Sequence, residues 1–425
     1  MSTTNTHLLK SWIPYDESCD FTIYNIPFGI IETSKGNTHL ATIIGDTVID
    51  LAVMHQLGYF EGYALQKAQV ESRFLNEFIA LGKQTTSAIR NRIIELFSEG
   101  NKQLASNEAH CKQVLLAAAD CKLLIPVKVN NYTDFYSSIE HATNVGTMFR
   151  DPKNALLPNW KHIPIGYHGR ASSIVVSGTN FHRPKGQTKA ADAELPEFGP
   201  CKMLDFELEM AFVVGKETQL GETIAIDASN EYIFGMLLFN DWSARDMQTW
   251  EYVPLGPFLA KNFASTVSPW LVTMEALAPF KVPQPIQEPK VLPYLQSSES
   301  NNNIDIHLQV AIQPEMGAEK VVSNSNFKYM YWSMNQQLTH HASNGCNIQI
   351  GDMYASGTIS GPTEDSYGSM LELTWRGTKP ITMPDGSQRK FIMDGDTVKM
   401  RGYCSKNGIR VGFGEVSAKV LPATK

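Results

Sequence analysis

The sequence predicts an α+β protein that is mostly β, with a small mixed unit at residues 1–124 and a larger, mainly antiparallel β unit at residues 125–425. Three observations carry this expectation. A chain of 425 residues exceeds the size at which one hydrophobic core stops growing, which favours two domains. Before Asp120, short β-branched runs are followed by helical periodicity, and the character changes beyond Leu123-Leu-Ile-Pro-Val127. From there, strand-like runs punctuated by turn residues dominate.

In chain order, Gly29 to Glu32 and Thr38 to Leu51 read as strands, and Lys35-Gly36-Asn37 between them is a hairpin signal. Ile89, Ile93, Leu96 and Phe97 recur at helical spacing, with Thr85, Thr86 and Ser87 as candidate N-caps and Gly100 as the stop. No chemistry concentrates in this first unit, whose bland role is packing or assembly. In the second unit, Ser173 to Ser177, Met210 to Gly215, Ile306 to Ile312, Val398 to Gly402 and Ile409 to Phe413 read as strands. The proline-rich stretch from Pro279 to Pro293 and the polar run Ser297 to Asn303 form a surface excursion, because strands resume on either side.

Composition excludes several classes of function. A net charge of -7 without any Lys/Arg run argues against nucleic acid as partner. The polar start, Met1 to His7, lacks the basic-then-apolar layout of a secretory signal. Apolar stretches such as Tyr232 to Phe239 are too short to span a bilayer, so no membrane partner is expected. Six cysteines are scattered without CxxC spacing, which implies neither a zinc site nor a disulfide framework and fits a reducing, cytoplasmic compartment.

The chemistry gathers in four segments. The most informative is Leu204 to Met210, where Asp205, Glu207 and Glu209 alternate with Leu204, Phe206, Leu208 and Met210. As a strand it puts the acids on one face and the apolar side chains on the other. Acids so close to a core need positive charge, from lysine and arginine or from a divalent cation. A second segment runs from Asp134 to Arg150; a helix over Ser137 to Thr147 would start at a serine pair and carry His141 one turn in. Histidine suits a general base at neutral pH if its other ring nitrogen is oriented.

The third segment is Asn240-Asp241-Trp242-Ser-Ala-Arg245-Asp246-Met-Gln248, with Tyr252 and Lys261 beyond it. Asp241 alone reads as the cap of a helix through Ser243 to Trp250, but beside Glu207 and Glu209 it reads better as a ligand. The fourth is Ala355 to Gly361, then Gly368 to Trp375, where Glu372 sits in a strand-like run and needs a partner such as a histidine. Two further clusters are weaker. His340 and His341, near Cys346, would point about 100° apart on a helix over Tyr329 to His341. Gly166-Tyr-His168-Gly-Arg170 reads as a turn, with His168 as a reserve base. An oxygen-only set of acids favours calcium or magnesium over zinc or copper.

The long motifs Asp-Phe-Tyr-Ser-Ser-x-x-His-Ala-x-Asn-Val-Gly-x-Met-Phe-Arg, Asp-x-Glu-x-Glu-Met, Asn-Asp-Trp-Ser-Ala-Arg-Asp-x-Gln and Ala-Ser-Gly-Thr-Ile-Ser-Gly closely resemble those of the fumarylacetoacetate hydrolase family. The resemblance runs through both units. It implies an SH3-like barrel for residues 1–124 and a mixed β-sandwich roll for residues 125–425, assembled as a homodimer. It also implies hydrolysis of the carbon–carbon bond of 4-fumarylacetoacetate to fumarate and acetoacetate, the last step of tyrosine and phenylalanine catabolism. Acylpyruvate or other diketo-acid hydrolysis, or decarboxylation, is the alternative on the same fold.

Carried over by position, the resemblance assigns Asp134, Glu207, Glu209 and Asp241 to a cation, Ca²⁺ or Mg²⁺. His141 would be the base, oriented by Glu372, while Arg245, Gln248 and Lys261 would stabilise charge on the departing acetoacetate. Tyr136, Arg150, Gln248, Tyr252 and Thr358 would bind the diketo dicarboxylate substrate. A second cation contact is described for the family near Lys261 and a threonine four residues on. This chain has Ala264 and Ser265 where glycine and threonine are described; a contact through backbone oxygen would be little changed, and one through the hydroxyl would still find it on serine. Asp205 shares the acidic face without being made a ligand by the motif.

Overall fold

The computed structural model describes residues 8–425; Met1 to His7, read above as lacking a secretory layout, lie outside the described residues. Near the N-terminus, five strands form an antiparallel sheet in the order Leu115–Ala117, Thr47–Asp50, Thr38–Ile44, Gly29–Glu32 and Lys122–Leu124. The Lys35-Gly36-Asn37 hairpin forms as expected, and Gly36 takes a φ of +78 there. The Lys83–Phe97 helix buries Ile89, Ile93, Leu96 and Phe97 but starts earlier than expected, at Gly82. Thr86 is therefore inside the helix, where its hydroxyl donates back to the carbonyls of Gly82 and Lys83 instead of capping.

The centre of the molecule is an eight-stranded mixed sheet. Its order is Gly166–His168, Tyr132–Phe135, Met353–Ala355, Leu208–Val214, Ile233–Asp241, Ser265–Val267 and Ile174–Val176, with Val272–Thr273 added on the Ile233–Asp241 strand. Most pairs are antiparallel; Met353–Ala355 with Tyr132–Phe135 and Ser265–Val267 with Ile174–Val176 are parallel. A second, five-stranded sheet runs Lys320–Asn326, His307–Gln313, Thr397–Lys406, Ile409–Leu421 and Phe181–His182. The architecture is mixed α+β and mostly sheet.

Period-two alternation divides the core. Leu208, Met210, Phe212 and Val214 pack with Leu308, Val310, Met400 and Phe413 of the second sheet. Ala211 and Val213, on the opposite face, join a different cluster with Ile30, Leu40, Phe78 and Ile93 from the N-terminal part. The central sheet is thus buried on both faces, which explains why strands such as Ile233–Asp241 read as unbroken apolar runs. Leu204 and Phe206 lie in the same cluster as Leu208 and Met210, as the alternation predicts. The stretch is nevertheless not one strand. It breaks between Leu204–Asp205 and Leu208–Val214, because the first piece pairs with Ser243–Ala244 and the second with Ile233–Asp241.

The helix that carries His141 runs Ile139–Phe149, and Ser138 caps it by accepting from the His141 amide. Gly146 lets this helix approach the chain at Ala155, whose carbonyl oxygen would lie 2.0 Å from an added Cβ. Among the described residues no helix is long and apolar enough to cross a membrane, and all six cysteines are free. Gly146→Ala should force the helix away from Ala155 and destabilise the protein by about 1–3 kcal/mol, read as a lower Tm.

Candidate active site

The acidic residues arrive from separate strands. Asp134 lies in Tyr132–Phe135, Glu207 in the break before Leu208, Glu209 in Leu208–Val214, and Asp241 ends Ile233–Asp241. All four are buried, and one carboxylate oxygen from each lies within 4.8 Å of the others. Asp241 is therefore not a helix cap. The helix beyond it is Arg245–Glu251, and its N-cap residue, Ala244, makes no side-chain cap.

Two cations reach this group. Lys261 Nζ donates to Glu207 Oε2 at 2.5 Å and to Asp241 Oδ2 at 2.7 Å. Arg245 pairs through Nη1 with Glu207 Oε1 at 2.7 Å and through Nε with Asp205 Oδ2 at 2.8 Å. Burial acts to raise the Glu207 carboxyl, but Lys261 and Arg245 outweigh it and hold Glu207 below the usual range. Among the described residues, Asp134 and Glu209 have no such partner. Burial, then the neighbouring carboxylates, push both well above the ordinary carboxylate value. Asp134 Oδ1 and Glu209 Oε1 are buried without any hydrogen bond.

Counting Asp205, five carboxylates thus face two cations. The surplus negative charge, the unpartnered oxygens and the oxygen-only donor set fit one divalent cation held by Asp134, Glu207, Glu209 and Asp241. Neighbouring groups tune these donors. Ser265 Oγ donates to Asp241 Oδ1 at 2.8 Å, and Tyr167 OH donates to Asp241 Oδ2 at 3.5 Å. The Gly357 amide donates to Glu209 Oε2 at 2.9 Å. Gly357 has a φ of +77, and an added Cβ would lie 2.2 Å from the Phe135 carbonyl oxygen, so glycine is required.

The side chain of Lys261 is not a cation ligand, which leaves only its backbone oxygen for the second contact. Asp241 and Glu207 hold its amine charged despite burial, and an ammonium has no lone pair to offer. The Ser265 hydroxyl, for its part, is engaged with Asp241.

Beside the acids stands a histidine–carboxylate pair. His141 Nδ1 lies 2.7 Å from Glu372 Oε2. Glu372 also accepts from Asn144 Nδ2 at 2.9 Å and from Ser369 Oγ at 2.8 Å, and Ser360 Oγ is 2.9 Å from Oε1. Burial opposes the charge on Glu372, but His141 and these hydrogen bonds win and keep its carboxyl below the usual value. An ionised Glu372 only accepts, so Nδ1 carries the proton and Nε2 is left as the proton acceptor. The segment holding Glu372 is a short helix, Met370–Leu373, not the strand expected from its apolar neighbours. Ser369 caps it by accepting from the Glu372 amide, a local bond that outcompetes pairing. His141 is close enough to bear on the charge of Glu207.

The other expected residues are less uniformly gathered. Tyr136 stands edge-on to His141 at 5.3 Å between ring centroids. Thr358 Oγ1 is buried and unpartnered. Gln248 Oε1 accepts from Arg245 Nη1 at 3.2 Å. Arg150 is exposed at the end of its helix, donating to the Ala155 carbonyl, although its charge reaches Tyr136. Tyr252 is 51% exposed. Asn144, Ser360 and Ser369 went unassigned in the sequence, although Asn144 and Ser360 stand inside the long motifs.

The weaker clusters resolve as structural. His340 and His341 accept no common ligand: their Nδ1 atoms pair separately with Tyr294 and Tyr354 hydroxyls, at 2.9 Å each. The helix there is Met334–Ala342, shorter than expected because Ser333 closes a capping box. His168 rests edge-on against His341, 5.6 Å between centroids.

Against this geometry, two family profiles match nearly the whole chain. One, described as fumarylacetoacetate (FAA) hydrolase C-terminal, covers residues 130–421, and the other, fumarylacetoacetase N-terminal, covers residues 24–126. The chain belongs to the fumarylacetoacetate hydrolase family. Its relatives include proteins named fumarylacetoacetase from Homo sapiens, 51% identical over 97% of this chain and 99% of the human one. The Caenorhabditis elegans protein is 51% identical over 98% of this chain and 100% of its own, and the Dictyostelium discoideum protein 50% over 98% and 99%. A solved fumarylacetoacetate hydrolase from psychrophilic Exiguobacterium antarcticum shares the fold, with TM-score 0.52 at 17% identity over 93% of this chain and 99% of that one.

Two outcomes are expected. Calcium or magnesium at about a hundred times its Kd should stabilise the protein by about 2.7 kcal/mol, seen as a rise in Tm that a chelator reverses and that Glu209→Gln or Asp134→Asn abolishes. Separately, burial and the nearby His168 and His340 push His341 down to about 4 from its ordinary 6.5. Below pH 6.5 the unfolded chain binds a proton there that the folded one refuses, so stability should fall as pH drops from 6.5 toward 4. Denaturant melts across that window should show the loss, and His341→Gln should reduce it.

Proposed function

We propose that this protein hydrolyses the carbon–carbon bond of 4-fumarylacetoacetate to fumarate and acetoacetate, with a divalent cation on Asp134, Glu207, Glu209 and Asp241. The observation that carries this reading is the buried four-carboxylate set within electrostatic reach of the His141–Glu372 pair. Relatives named fumarylacetoacetase, about half identical along the whole chain, support it. Calcium is the first candidate, because it accepts several carboxylate oxygens in loose geometry and Asp134, Glu207, Glu209 and Asp241 would each offer it one. Magnesium, with water completing an octahedron, is the second.

A cation held by Asp134, Glu207, Glu209 and Asp241 would supply Lewis-acid polarisation of the substrate. His141 Nε2 takes a proton from water as the water oxygen attacks the carbonyl carbon beside the fumaryl group. Glu372 holds the imidazole in that tautomer and stabilises its positive charge. The bond to the acetoacetate carbon then breaks, its electron pair leaves as an enolate, and a proton returns to that carbon. Arg245 and Lys261 face this developing charge, and Gln248 steadies Arg245. One preorganised donor of this kind is typically worth roughly 3–4 kcal/mol. Arg245 Nη2, buried and unpartnered, is such a donor. Tyr136, Thr358, Arg150 and Tyr252 bind the substrate's oxygens and carboxylate ends.

The same reading makes residues 1–124 an SH3-like domain and residues 125–425 a β-sandwich roll, working as a cytoplasmic homodimer. Purified protein with calcium or magnesium should bleach the diketone absorbance of fumarylacetoacetate and release fumarate and acetoacetate in equal amounts. His141→Ala should lower kcat by about 10²–10⁴-fold and leave the cation-induced rise in Tm in place. Faster turnover of an acylpyruvate or of oxaloacetate would reassign the substrate. Unchanged absorbance with metal present would end the proposal.

A further inference from the structure

Asp205 opens the Asp-x-Glu-x-Glu stretch, yet it is not among the four acids whose oxygens converge. It is fully buried, and all of its hydrogen bonds go elsewhere. Oδ2 accepts from Arg245 Nε at 2.8 Å and from the Leu371 amide at 3.0 Å; Oδ1 accepts from the Met370 amide at 2.7 Å. Those two amides begin the short helix that carries Glu372. One carboxylate therefore holds the guanidinium on one side and the start of the Glu372 helix on the other.

The remaining contacts make this more than charge neutralisation. Arg245 is already paired with Glu207 through Nη1, so its charge does not depend on Asp205 alone. Asp205 adds a second fixed point on a rigid planar group, and two such points set its orientation. The atom left over is Nη2, buried with no partner among the described residues. On the other side, Ser369 at the same helix start donates to Glu372 Oε2, and Glu207 forms a bridge to Ser369. We propose that Asp205 is a positioning residue that holds the free Arg245 donor in register with the His141–Glu372 pair. The charge-stabilising and proton-accepting halves of the site are thereby kept at one spacing. This inference rests on the hydrolase reading above.

The test uses full-length protein and Asp205→Asn, which keeps shape but replaces one acceptor oxygen by a donor. Turnover of fumarylacetoacetate should fall about 10- to 100-fold in kcat with KM changed less than threefold. The calcium-induced rise in Tm should persist, because the four cation ligands are untouched. Hydrogen exchange of the Met370 and Leu371 amides should accelerate. In an Arg245→Gln background, Asp205→Asn should cost less than in the parent, because only its hold on the start of the Glu372 helix is left to lose.

Wild-type kcat in Asp205→Asn, or losses that multiply with those of Arg245→Gln, would reduce Asp205 to a structural ion-pair partner and overturn the inference. Asp205→Ser serves if the asparagine variant does not fold, with the same outcomes. If wild-type protein leaves the diketone intact, the hydrolase reading fails by itself. The exchange measurement then decides alone whether Asp205 holds the helix, and unchanged protection rejects it.

Discussion

Surplus negative charge, enclosed where water cannot screen it, is the constraint around which this molecule is arranged. One oxygen from each of four carboxylates lies within 4.8 Å of the others, and among the described residues only Lys261 and Arg245 answer them directly. Their effect is uneven. Glu207, touched by both, stays ionised, while Asp134 and Glu209 are driven upward by burial and by one another. Such an imbalance is costly in a folded core unless a dication settles it. The surrounding donors, Ser265, Tyr167 and the Gly357 amide, adjust the acids without adding charge.

The fold tolerates this because the acids sit on a sheet packed on both faces. Leu208–Val214 places alternate side chains in two separate apolar clusters, so Glu209 is fixed by neighbours it does not touch chemically. Asp241 extends from the end of an entirely buried strand. Each acid is delivered by a different strand or break, so no single segment could shift without disturbing packing on both sides. Rigid delivery of this kind suits a preorganised electrostatic site.

The second half of the site is built differently. His141 comes from a helix capped by Ser138, Glu372 from a four-residue helix capped by Ser369, and their side chains meet at 2.7 Å. Short capped helices set side-chain direction over a few residues without needing a strand partner. Asp205 links this half to Arg245, which is why the first acid of the stretch is as buried as the others.

Much of this was legible in the residues themselves. Alternation placed Leu204, Phe206, Leu208 and Met210 together in a core and demanded positive charge opposite, because strand periodicity and the cost of burying acids are local facts. The serine-capped helix bearing His141 was likewise readable from hydroxyl and apolar spacing. What chain order could not disclose was partnership between distant positions: Glu372 with His141, Asp205 with the Met370 and Leu371 amides, the Lys261 amine with Glu207. It also misread Glu372 as strand, since Leu371 and Leu373 beside it fit either period over so few residues. Local sequence determines which side chains must be buried and which must find a partner. Only the packed sheets, by bringing distant strands within hydrogen-bond reach, decide which partner each one gets.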